Sequence, residues 1–145
     1  MSNFTTSQGR GWLSTWMSRL MPSGTAAAER RFKVVNLSRQ TELGDRIESA
    51  DHGPQRRKGL LGRAGLATGE GLWIVPCEAV HTFGMRFPID LVYLDRKRRV
   101  VKIRQHVVPG RLSACLRAHS IIELPSGAVL HAQVERGDQL QIEPA

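Results

Sequence analysis

Aromatic side chains make up only 6% of this 145-residue chain, with a single tyrosine, and cysteine occurs only at Cys77 and Cys115. Two cysteines are too few for the disulfide framework of a small secreted domain, and a chain of this length can bury roughly 70% of its extended surface without staples. A thiol-reducing cytoplasm is the compartment this implies. No apolar run approaches the roughly 20 residues that span a bilayer, and Arg19 interrupts the apolar stretch at 12–21 where a signal peptide would be unbroken. Gly59 and Gly62 lack the Gly-Lys-Ser or Gly-Lys-Thr ending of a phosphate loop, and no dinucleotide fingerprint follows a strand, so nucleotide hydrolysis has no support. Acidic residues are also scarce, 13 against 21 Lys and Arg, which leaves a net charge of +8. That field favours polyanionic partners, either nucleic acid or an anionic membrane surface. With so few aromatics for base stacking, any nucleic-acid binding is expected to be nonspecific and salt-sensitive.

Fourteen glycines and seven prolines point to many turns and to a β-rich chain. Residues 1–30 differ in character from the rest and read as a tail. Trp12, Leu13, Trp16, Met17, Leu20 and Met21 recur at four-residue spacing and would share one face of a short helix. Its polar face carries chiefly Arg19, so packing on the domain or on a protein partner fits better than a membrane anchor. Pro22-Ser23-Gly24-Thr25 and three alanines then form a linker into a single domain over 31–145.

Within that domain, residues 32–37 read as a strand and residues 41–49 as a weak helical stretch stopped by Asp51-His52-Gly53-Pro54. Residues 55–63 read as a short helix or turn, and Gly71 to Val75 as a strand ended by Pro76. Ile89, Leu91 and Tyr93 alternate with Asp90, Val92 and Leu94, so both faces are mostly apolar and the strand belongs in the middle of a sheet. Asp95-Arg96-Lys97-Arg98 reads as a hairpin turn into a strand over 99–104, with further strands at 120–124 and 139–142. Leu124-Pro125-Ser126-Gly127 reads as a turn before a short segment at 128–134. Together these elements imply a mainly β fold, a compact antiparallel β-sandwich or barrel with a few short helices.

The most identifying stretches are Arg57-Lys58-Gly59-Leu60-Leu61-Gly62-Arg63, Gly71-Leu72, His81-Thr82-Phe83-Gly84-Met85-Arg86-Phe87-Pro88-Ile89-Asp90, Glu123-Leu124-Pro125-Ser126-Gly127 and Gly137-Asp138. As a set, over residues 34–142, they resemble a bacterial and archaeal family known as domain of unknown function 192. The resemblance implies a small β-sandwich or barrel and assigns no activity, cofactor or catalytic residue. Its members usually carry a glycine in the turn after Asp95, where this chain has Arg96-Lys97-Arg98-Arg99. A longer or differently shaped hairpin with a cationic tip is therefore expected.

A charge embedded in apolar or turn-forming surroundings must pair or stay hydrated, so Arg57, Arg63, Asp90 and Glu123 are expected to supply at least one Arg–carboxylate pair. Such a pair would ordinarily fix loop geometry. The sharper reading is a small-ligand pocket built from Arg63, His81, Asp90 and Glu123. Cys77 and His81 repeat the spacing of Cys115 and His119, and the four would make a Cys2His2 zinc site if turns brought them together. In extended strands, residues four apart stand roughly 13 Å from one another, too far to share a metal. A Cys77 or Cys115 nucleophile activated by His81 lacks a recognised motif beside either thiol. Arg96, Lys97, Arg98, Arg99, Lys102 and Arg104 form a cationic stripe suited to a polyanion. The leading reading is a non-enzymatic binding or accessory module without a required cofactor. A zinc- or thiol-dependent hydrolase using Cys77, His81, Cys115 and His119, and a basic surface binder of nucleic acid or of an anionic membrane to which it would be peripheral, are the alternatives.

Overall fold

A computed structural model describes residues 30–145. Its elements are β1 (Arg31–Asn36), β2 (Thr41–Ala50), α1 (Gly53–Lys58), β3 (Glu70–Ile74), β4 (Ala79–His81), β5 (Ile89–Leu94), β6 (Val100–Val107), β7 (Leu112–Ala114), β8 (Ser120–Pro125), α2 (Ala128–His131) and β9 (Leu140–Pro144). Seven strands form one sheet in the order β6-β5-β8-β3-β2-β1-β9, while β4 and β7 form a separate two-stranded ribbon. The large sheet curls until its two ends meet beside the β5–β6 turn. There Val100 N donates to Asp138 O at 2.9 Å, Gly137 N to Val100 O at 2.8 Å and Leu140 N to Arg98 O at 3.0 Å. The result is a half-barrel closed at one end. The amphipathic helix expected over residues 12–21 lies outside the described residues.

One parallel pair, β2 with β3, interrupts the otherwise antiparallel ladder of the large sheet. A parallel pair needs a long crossover, and the connection between these strands supplies it with α1 and the loop that follows. The helix expected over residues 41–49 is strand β2. Leu43 and Ile47 are four apart, which matches a helix face, but four is also an even number and puts both on one face of a strand. Both are buried in the same cluster. The residues expected to stop that helix instead open α1, with Pro54 in its first turn, where a missing N–H leaves no hydrogen bond unmade.

Strand β5 is buried along its whole length and lies between β6 and β8, as its two apolar faces require. Its side chains alternate between two cores. Val92 and Leu94 join Val34, Ile122, Leu124 and Leu140 in the inner core, which α2 plugs through Val129. Ile89, Leu91 and Tyr93 join Leu60, Leu72, Ile74, Met85 and Ile121 in an outer core, with Leu61, Cys77, Val80 and Cys115 packed against it. The outer face of the sheet is thus covered by the loop after α1 and by the ribbon.

In the β5–β6 turn, Arg98 takes a φ of 62°. A side chain in that left-handed region is disfavoured by roughly 1 kcal/mol, and two contacts offset it. The Arg98 guanidinium donates to Ile142 O at 2.8 Å and lies 5.2 Å from the Trp73 ring centre. The turn is further held by Asp95 Oδ1, which accepts from Lys97 N at 2.9 Å and Arg99 N at 3.0 Å.

Candidate functional site

Alternation along β8 puts Ile122 and Leu124 into the inner core and Glu123 on the opposite face, between Leu91 of β5 and Leu72 of β3. A carboxyl group in the middle of an apolar sheet face is an unusual placement. Glu123 is 4% exposed, and its buried Oε2 has no hydrogen-bond partner. Burial pushes its pKa up to about 7, and the positive charge of Arg63 offsets part of that rise. The carboxyl therefore exchanges its proton near neutrality.

Gly59 carries a φ of 48°, and a Cβ there would lie 3.9 Å from Glu123 Oε2. On the neighbouring strand a Cβ at Gly71 would come within 2.7 Å of the Glu123 backbone carbonyl and of Ile47 Cδ1, so that glycine serves close strand pairing on the inner-core side and not the carboxyl itself. Above the carboxyl lies a cavity of about 380 Å³. Ile74, Leu60 and Met85 give it an apolar interior, Cys77 and His81 supply polar atoms, and Arg56, Arg57 and Lys58 of α1 line it with positive charge.

Cys77, His81 and Arg57 therefore line the same cavity as Glu123, without converging on one point, but Arg63 and Asp90 lie elsewhere. Arg63 lines an adjoining cleft of about 510 Å³, where its guanidinium donates to Glu48 Oε2 at 2.6 Å. The Arg–carboxylate pair expected among Arg57, Arg63, Asp90 and Glu123 is thus made with a residue outside that set. Asp90 points into the opposite core. Its Oδ1 accepts from His106 N at 2.8 Å, while Oδ2 accepts from Gly127 N at 3.1 Å and Val129 N at 3.0 Å. Those bonds make Asp90 a clamp that joins β5, β6 and the start of α2. It is not a wall of the cavity.

The four Cys and His residues do not assemble as zinc ligands, because among the described residues no three His, Cys, Asp or Glu side chains converge. Ala79 to His81 is extended, as the strand spacing argument requires, and carries His81 away from Cys77. Cys77 N donates to His119 O at 2.8 Å and Cys115 N to Glu78 O at 2.8 Å, so the segments are neighbours through their backbones. Burial pushes the Cys77 thiol pKa above its ordinary value, and its Sγ donates to Ala79 O at 3.2 Å. A thiol held protonated is a poor nucleophile.

The cationic stripe divides. Arg98 is tied down as described, and Lys102 donates to Ala114 O at 2.7 Å and sits 5.4 Å from the Tyr93 ring centre. Arg104 is exposed on the same face as Lys102. Arg96, Lys97 and Arg99 line an open groove of about 890 Å³ together with Arg117, His119 and Leu116. Arg117 was not visible as part of this group from sequence, because only the turn at 115–118 brings it beside the β5–β6 hairpin. Another network, whose partners Asn36, Arg39 and Glu135 had no sequence signal, surrounds Asp138 of the Gly137-Asp138 motif. Its Oδ2 accepts from Asn36 Nδ2 and from Glu135 N, each at 2.8 Å, and Arg39 pairs with both Asp138 and Glu135. Burial raises the Asp138 pKa, but these hydrogen bonds and the Arg39 charge outweigh it and hold the carboxyl below its ordinary range.

A family profile described as uncharacterized ACR, domain of unknown function 192, matches residues 34–142, the whole of the curled sheet apart from the start of β1 and the end of β9. The chain belongs to that family. Two solved structures share the fold. A protein of Sinorhizobium meliloti 1021, provisionally named a transcription regulator, is 22% identical with a TM-score of 0.71, over 83% of this chain and 98% of that one. A protein of unknown function from Novosphingobium aromaticivorans DSM 12444 is 20% identical with a TM-score of 0.67, over 83% of this chain and 99% of that one. No curated protein matches the chain significantly. The family thus fixes the architecture, and no specific activity comes with it.

Proposed function

We propose that this domain is a binding module for a small ligand, seated in the cavity above Glu123. One observation carries the reading. A carboxyl oxygen is buried with no partner, at the floor of a cavity large enough for a small organic molecule. Leaving such a group unsatisfied costs about 1 to 3 kcal/mol, more when charged, and a ligand that hydrogen-bonds to it recovers that penalty. The basic residues of α1 suit an acidic group at the other end, so the ligand class is a small anion bearing a hydroxyl or amine. The reading does not use Cys77 as a nucleophile, because burial favours its neutral thiol. Among these residues no helix is long and apolar enough to cross a membrane.

The test is a fragment screen followed by nuclear magnetic resonance, using small hydroxy and amino acids, sugar phosphates and simple amines. Binders should move the backbone resonances of Leu61, Cys77, His81 and Glu123, and the shifts should vanish in Glu123→Leu. A screen without binders, or binders indifferent to Glu123→Leu, would overturn the reading.

A further inference from the structure

Five large apolar side chains are exposed among the described residues, and three of them, Phe83, Leu112 and Leu116, belong to the β4–β7 ribbon and its immediate extensions. Their exposure alternates strictly. Ala79, His81 and Phe83 are exposed on one side, with Val80 half-buried and Thr82 buried between them. Leu112, Ala114 and Leu116 are exposed on the other, with Ser113 buried and Cys115 half-buried between them. Register places His81 opposite Leu112 and Ala79 opposite Ala114, and the His81 and Phe83 rings lie 5.5 Å apart. The outward face of the ribbon is therefore a continuous uncharged strip ending in Leu112, 70% exposed, and Leu116, 85% exposed.

The strip is held rigidly. Thr82 Oγ1 donates to Val108 O at 2.8 Å and accepts from Arg111 N at 2.8 Å. Tyr93 and Ser113 share a hydrogen bond of 2.5 Å, and Lys102 anchors Ala114 O. Its surroundings are basic. Arg111 precedes Leu112, Arg117 follows Leu116, and Arg86 stands three residues after Phe83, all exposed. Glu78 is the only acidic residue in 77–87 or 111–119. Leu116 and Arg117 also line the groove of Arg96, Lys97 and Arg99, where four basic side chains outnumber the acidic Glu78 and Asp95, so a net positive charge continues past the strip.

We propose that this ribbon docks the domain onto an anionic membrane surface, with Leu112, Leu116 and Phe83 entering the headgroup layer and Arg111 and Arg117 meeting lipid phosphates. Exposed apolar side chains ringed by arginine match a bilayer that offers hydrocarbon and negative charge at the same depth. A second copy of the chain fits worse, because a two-fold pairing of the strip would gather Arg111 and Arg117 of both copies around one interface. Nucleic acid would use the charge and leave the leucines in water. The inference does not use the ligand reading of the Glu123 cavity, although Ala79 and His81 border both.

The experiment is flotation of the full-length protein with vesicles of phosphatidylcholine alone or with about a quarter phosphatidylglycerol, a charge density at which each nearby arginine contributes roughly fivefold to binding. Binding is expected only to the anionic vesicles, and it should weaken steeply with salt. Leu112→Ser with Leu116→Ser should lower the partition coefficient about tenfold or more, and Arg111→Gln with Arg117→Gln about 25-fold. Thermal melting of these variants should stay unchanged, because all four side chains are exposed. Leu130→Ser, an equally exposed leucine on α2 at the inner-core side, should bind like the parent. Three results would each overturn the proposal. They are no binding at low salt, binding indifferent to the leucine pair, and a self-associating protein that the leucine substitutions turn into a monomer.

Discussion

Glu123 is buried among Leu72, Leu91 and Ile74, so replacing it tests the electrostatics of the cavity directly. Its carboxyl is pushed from an ordinary 4.5 up to about 7 in the folded state. A raised acid pKa favours the protonated form in the folded protein, so ionisation below pH 7 benefits only the unfolded chain. Stability is therefore highest below pH 4.5 as far as this group is concerned, falls as pH rises from 4.5 to 7, and levels off above that. At 1.36 kcal/mol per unit, the penalty accumulated between pH 5 and pH 8 is about 2 to 3 kcal/mol. Glu123→Gln and Glu123→Leu both remove it. Urea unfolding at the two pH values should show the parent losing that amount relative to either variant, and both variants should be the more stable proteins at pH 8. Leu should exceed Gln, because it leaves no buried polar atom. If parent and variants lose stability in parallel, Glu123 is ionised throughout, Arg63 compensates its burial fully, and the argument for a ligand-hungry carboxyl fails.

Asp90→Ala strands three backbone N–H donors, one of them the buried Val129 N, and should lower unfolding free energy by about 3 kcal/mol or more in urea titrations. Asp138→Asn weakens a charge held by Asn36, Glu135 N and Arg39, and should destabilise by about 1.5 to 3 kcal/mol at pH 7. Its lowered pKa means that the parent keeps this contribution above the ordinary Asp range and loses it as pH falls through the depressed folded value, so the gap between parent and variant should close in acid. In a Cys115→Ala background, alkylation of Cys77 by iodoacetamide should rise with a midpoint above pH 9.0, because burial holds the thiol protonated. A midpoint below that value would restore the thiol-nucleophile reading.

The sequence allowed β5 to be placed correctly because its six residues state both facts that matter, an alternating pattern and apolar character on each side. The turn expected at 124–127 and the family motifs were equally local, although β8 runs on to Pro125 and leaves only Ser126 and Gly127 to the turn. β2 was misread because Leu43 and Ile47 satisfy two periodicities at once, and only its partners decide between them. Gly44, where a Cβ would approach Gly69 O to 2.7 Å, shows the deciding contact lying in another segment. The same limit governs the site. Glu123 and His81 could be singled out by chemistry, but that they share a cavity with Met85 and the basic end of α1 depends on how the crossover folds back. Asp90 stood out for the same reason as Glu123, a charge amid apolar neighbours, yet a one-residue step along a strand reverses the face. In the register observed, Asp90 opposes Leu124 while Glu123 opposes Leu91, which sends the two carboxyls to opposite cores.

The seam that closes the half-barrel sets the order in which the protein can be made. β1 leaves the ribosome before the other strands of this sheet, yet one of its two neighbours is β9, the last of them to emerge. Asn36 and Asp138, which meet there, are 102 positions apart. Until β9 emerges, the outer edge of β1 and the end of the β5–β6 hairpin are unpaired, and such edges recruit other strands. Nascent chains stalled before residue 140 should therefore be chaperone clients, whereas release of the final strand completes the fold in one long-range step.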